Sequence, residues 1–112
     1  MSITDIEIKA NQTKRQLASE FGDLRERLPI AFDNGLGRLS ERSIAQLGDP
    51  SLRRQFNVIC SCLSQRAKFG ESSAALSIEE MTDEEVTALA SVILSFVARL
   101  NASIEYQKKE VA

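Results

Sequence analysis

Apolar residues recur along this chain with the period of an α-helix, and strand-like alternation is nearly absent. Ile6, Ala10, Thr13, Leu17, Phe21, Leu24 and Leu28 follow one another at spacings of three or four. On a helix they fall within about 40° of one line. The stripe stays in phase through Gly22, which predicts one continuous helix over 4–28, opened by a capping box of Thr4 and Glu7. The alternative ends the first helix at Phe21 and starts another at Asp23. Pro29 is expected to close the segment in either case, because proline disfavours helical backbone in the residue before it.

Downstream, Asp33-Asn34-Gly35 reads as a turn, followed by a short helix over 36–47 with Leu36, Leu39, Ile44 and Leu47 inward. Gly48 stops it. Asp49-Pro50 pairs an N-cap with proline at the first helical position, a favourable start for a helix over 50–68. That helix points Leu52, Phe56, Ile59, Leu63 and Ala67 inward, and Gly70 caps it. Residues 70–77 form a loop of small residues. Ser77 with Glu80 and Thr82 with Glu85 are two successive capping boxes, the second opening a last helix over 83–109. Acidic residues in its first turn and Lys108 and Lys109 in its last suit the helix dipole.

The last helix has a main face of Val86, Leu89, Ala90, Ile93, Val97, Leu100 and Ile104. Val92 and Phe96 widen it on one side and Leu94 on the other, and small residues cover the remainder. Its middle therefore reads as buried on nearly every side, and Phe96 as deeply buried. The expected fold is all-α: residues 1–112 as one small bundle of about four helices, long at both ends and completed by dimerisation. A helix of this length spans about 40 Å, more than the roughly 34 Å diameter of a compact body this size.

Composition narrows the function. There is no histidine, which removes histidine acid–base chemistry and histidine metal ligation. Cys60 and Cys62 stand one residue apart with no third cysteine, which suits core thiols and not a zinc site. No nucleophile has a plausible base nearby in sequence, so no enzyme, cofactor or metal is expected. The acidic run Glu79, Glu80, Asp83, Glu84, Glu85 lacks the pattern of a calcium loop and reads as helix-start charge. A net charge of −2 gives no electrostatic attraction to nucleic acid or anionic membrane. That charge is uneven: residues 23–70 carry 8 basic and 5 acidic groups, and residues 71–112 carry 3 and 8. The N-terminus has no signal-peptide pattern, and the 13 uncharged residues 86–98 are short for a bilayer span of about 20, so a cytoplasmic location is expected.

These readings point to a small regulator or adaptor that binds another protein, such as an inhibitor, anti-activator, chaperone or immunity module. The expected partner or dimer interface comprises Leu17, Phe21, Leu24, Leu28, Val92, Leu94 and Phe96, with Arg25 and Arg27 on its rim. The first-helix stripe is narrow, about 80° wide, as a helix-to-helix seam requires. It could close the protein's own bundle or dock a different protein. The alternative function is a DNA-binding regulator with a helix-turn-helix over 39–59, its second helix bearing Arg53 and Arg54.

Overall fold

The computed structural model describes residues 3–18, 23–63 and 78–111. Among these the chain is all-helical: α1 (Ile3–Ala18), α2 (Leu24–Asn34), a single 3₁₀ turn (Leu36–Arg38), α3 (Glu41–Ala45), α4 (Pro50–Leu63) and α5 (Asp83–Val111). α5 is the spine. Asn11 meets Asn101 and Glu7 meets Lys108, so α1 runs antiparallel to it. On another side, Leu47 meets Gln107 and Phe56 meets Phe96, so α4 is antiparallel as well.

The predicted single helix over 4–28 is instead two helices. Asp23 is extended, with φ −84° and ψ 168°, and its carboxylate accepts from Arg25 N at 2.7 Å. A capping residue in that conformation begins a helix and cannot sit inside one. The stripe keeps its phase across the break, since Ile6, Ala10, Thr13 and Leu17 on α1 and Leu28 on α2 are all buried. Pro29 does not end the segment. It lies buried inside α2, which continues to Asn34, so the Arg25 carbonyl loses its helical donor. The burial of Leu28, Pro29 and Ala31 on this face offsets that loss. α1 starts at Ile3, so Thr4 lies within its first turn, and the Glu7 carboxylate meets Lys108 Nζ at 2.9 Å.

The predicted helix over 36–47 is likewise divided. Extended Leu39 ends the 3₁₀ segment, and extended Ser40 caps α3 by accepting from Ser43 N at 3.2 Å. Its inward residues are as expected, with Leu36, Leu39, Ile44 and Leu47 all buried. Gly48 takes φ +72°, a left-handed conformation that glycine adopts without a Cβ penalty. Two start signals are also realised. Asp49 Oδ1 accepts from Ser51 N at 2.9 Å at the head of α4. At α5, Glu85 N donates to Thr82 Oγ1 and Thr82 N donates to Glu85 Oε1, both at 3.2 Å. The expected end of α4 with Ala67 and Gly70, the 70–77 loop and the Ser77 cap lie outside the described residues.

In this chain α5 buries one face only. Val86, Ala90, Ile93, Phe96, Val97, Leu100 and Ile104 are buried, whereas Val92 and Leu94 are each 40% exposed. The expected all-round burial of its middle is therefore absent within one copy, because no other described element lies against the outer side. The helix does not overhang either: its 29 residues span about 44 Å, and the fold extends 45 × 29 × 23 Å with a radius of gyration of 14.0 Å. α5 is also long and apolar enough to cross a membrane by length and composition, with a mean hydropathy of 1.5 in its best window. Here its most apolar face forms the core.

Three substitutions test this packing. Phe96 is fully buried and stacks on Phe56, with ring centroids 6.1 Å apart. Phe96→Ala should lower stability by about 3–5 kcal/mol in a denaturant titration. An unchanged midpoint would refute the assigned core. Gly35 is the tighter position: a Cβ there would collide with Thr13 Oγ1 and lie 2.8 Å from the Lys9 carbonyl oxygen. Gly35→Ala should cost about 1–3 kcal/mol, whereas Gly37→Ala, which meets the movable ring of Phe32 as well as its carbonyl, should cost less.

Candidate functional site

Interface residues expected from sequence do not form one surface. Leu17, Leu28 and Phe96 are buried in the chain's own core, and Leu24 packs half-buried against it. Folded as it is, the chain cannot offer these side chains to a docking partner. Phe21 lies outside the described residues. Of the described ones, only Val92 and Leu94 face solvent, on opposite flanks of α5.

Arg25 is not a rim residue. Its Nη1 donates to Ile78 O at 2.9 Å, its Nη2 to Met81 O at 2.6 Å and its Nε to Asp83 Oδ1 at 2.8 Å. One guanidinium thus ties the head of α2 to the segment that leads into α5. The basic middle and acidic end of the chain do meet here. Asp83 is 92% exposed, so the two carbonyl bonds contribute more than the ion pair.

Arg27 lies elsewhere. It lines a cleft of about 790 Å³ between α1 and α2, well within the size range of ligand sites. One wall is Lys9, Gln12 and Gln16 of α1, joined by Arg15. The other is Arg27, Ile30 and Asn34 of α2, with Arg38 of the 3₁₀ turn at its end. Both walls follow the spacing i, i+3, i+7, so each presents one continuous helical row. Among the described residues, four cations line the cleft and no carboxylate does. None of Lys9, Arg15, Arg27 and Arg38 pairs with an acid among the described residues. Arg27 Nε and Gln12 Oε1 are buried, and neither has a hydrogen-bond partner among the described residues. A donor and an acceptor left unbonded beside the cleft leave hydrogen-bonding capacity that a bound group can use once these side chains turn toward it.

A second cleft contrasts with it. Arg99 borders this one beside Gly48 and Tyr106, but its guanidinium is occupied by Gln55 Oε1 at 2.6 Å and Ser51 Oγ at 2.7 Å. Residues 39–59 include α3 and most of α4, joined through Gly48 and Asp49. α3 has only 5 residues, and its Glu41 Oε1 holds Arg53 Nε at 3.1 Å. Sequence reasoning missed the cleft. Its rows lie one position from buried Thr13 and Leu28, but alignment of two polar flanks across different helices has no signature along a chain.

No family model matches this chain, and neither a curated protein nor a solved structure is similar to it.

Cys60 and Cys62 are both half-buried, and Cys60 packs against the core. Burial pushes the Cys60 thiol above its ordinary value. The thiolate is the reactive form, so a Cys62→Ser variant should be alkylated by iodoacetamide several-fold more slowly when folded than when unfolded, at about pH 8. The gap should narrow as the pH rises. In the same sense, the stability linked to this thiol is intact below its unfolded pKa and declines as the pH passes its folded one. Equal folded and unfolded rates at pH 8, read by intact-mass spectrometry, would contradict the assignment.

Proposed function

We propose that this protein is a small, non-enzymatic cytoplasmic regulator or adaptor that acts by binding another protein, and that two copies pair through the outer face of α5. The observation that carries this reading is the chemistry of that face. Between Glu85 and Arg99 the helix has no charged residue, although Thr87, Ala88, Ser91, Val92, Leu94, Ser95 and Ala98 are all exposed. The solvent side of a surface helix ordinarily carries charge. Here small residues fill the centre, Val92 and Leu94 flank it, and a second helix can approach closely.

Light scattering on the purified chain at tens of micromolar should give about twice the 12.4 kDa chain mass. Ser95→Arg, in the centre of the face, should return the monomer with an unchanged melting transition, since this side chain is exposed. A wild-type chain that stays strictly monomeric would defeat the pairing. The regulatory reading is tested separately, by recovering a binding protein from the native cell and reconstituting the complex from two purified components.

A further inference from the structure

We infer that the cleft between α1 and α2 seats an acidic segment of the partner protein. The proposal rests on the reading of this chain as a protein-binding module and adds where the partner sits and what chemistry it brings.

Charge is the first argument. Lys9, Arg15, Arg27 and Arg38 gather around one cleft in a protein whose net charge is −2, and none is paired with a described acid. Shared positive charge in a recess focuses the field and attracts anions. Three of the four are arginines, whose planar fork engages carboxylate oxygens two at a time.

Shape and hydrogen bonding then choose among anions. The two rows run along facing helices for about 10 Å, the length of two helical turns, so the cations are strung along a trough. Every lining residue on α1 lies inside the helix, away from the free amides of its N-terminus. Compact phosphate sites ordinarily draw on such amides. The open groups are one donor, Arg27 Nε, and one acceptor, Gln12 Oε1. A peptide carries acceptors in its carboxylates and carbonyls and donors in its N–H groups, so it can meet Arg27 and either orientation of the Gln12 amide, whereas a fully ionised phosphate offers acceptors only. Ile30, 51% exposed in the same wall, provides an apolar contact that a peptide side chain can meet.

The test uses the full-length chain and a fluorescently labelled peptide with alternating glutamates and leucines. Anisotropy should show binding that weakens as salt rises. A peptide of the same length with glutamine for every glutamate should not bind. Arg27→Gln combined with Arg15→Gln should weaken the acidic peptide at least about tenfold, with the helical circular-dichroism signal unchanged. Arg54→Gln, on the exposed side of α4, should leave it unaltered. The inference is overturned if the acidic peptide does not bind, if the cleft variant binds it equally well, or if inorganic tripolyphosphate displaces it at lower concentration. The last result would make the cleft a phosphate site. Should the peptide fail while wild-type chain still forms the reconstituted protein complex, only the cleft assignment falls. Should the peptide bind while no protein complex forms, the regulatory reading falls instead.

Discussion

The Thr13 hydroxyl is fully buried where α1 crosses the end of α2, and the relative position of these helices depends on it. It accepts from Leu36 N at 3.0 Å and donates to Lys9 O at 3.1 Å, with Ala31 O at 3.4 Å as the weaker branch. Three polar atoms from three stretches of chain thus converge on one side chain. Such a group is costly to bury unless bonded, and removing it strands the Leu36 N–H at about 1–3 kcal/mol. Gly35 is the complement, since only a residue without a Cβ leaves room for the hydroxyl. The same corner sets the separation of α1 and α2. It therefore aligns the row from Lys9 to Gln16 with the row from Arg27 to Asn34, and the cleft follows from it.

Opposite that corner, α5 organises the rest. Its buried face takes α1 and α4 on two flanks, and Phe96 reaches Phe56 on the α4 side. Polar links mark the register: Asn11 to Asn101, Glu7 to Lys108, and Arg99 to Ser51 and Gln55. These bonds are mostly exposed or half-exposed, so they contribute little energy each and serve to fix one alignment among similar apolar ones. Arg25 does more, because two of its bonds hold backbone carbonyls just ahead of α5.

Most of the core could be read from helical periodicity. The buried positions of α1, α4 and α5 coincide with the stripes, and the Asp49 and Thr82 caps stand where local chemistry places them. The breaks were harder to read. A stripe can stay in phase across a change of helix, as it does from Leu17 to Leu28, so periodicity alone cannot reveal the turn at Asp23. Pro29 looked terminal because its local effect is unfavourable, and the burial of that face is a tertiary effect that propensity does not contain. Leu17, Leu28 and Phe96 looked equally suited to a partner or to the chain's own core, since both uses demand the same apolar row. The cleft was invisible for the converse reason: its residues are ordinary surface cations until two helices bring them together.

The two proposed surfaces do not compete for the same side chains. No described residue of α5 lines the cleft, and the uncharged face of α5 lies opposite the face that it buries in the core. If copies pair through α5, each retains an open cleft, and the dimer holds two. A partner with two acidic segments, or one that is itself dimeric, would then engage the second cleft intramolecularly. Its effective local concentration can reach millimolar, and avidity rises without any new contact. This matters because carboxylate–guanidinium contacts in a partly open cleft are individually weak and weakened further by salt. Pairing would thus convert two modest, salt-sensitive sites into one durable attachment, which is a physical reason for an uncharged helix face and a cationic cleft to occur together in so small a chain.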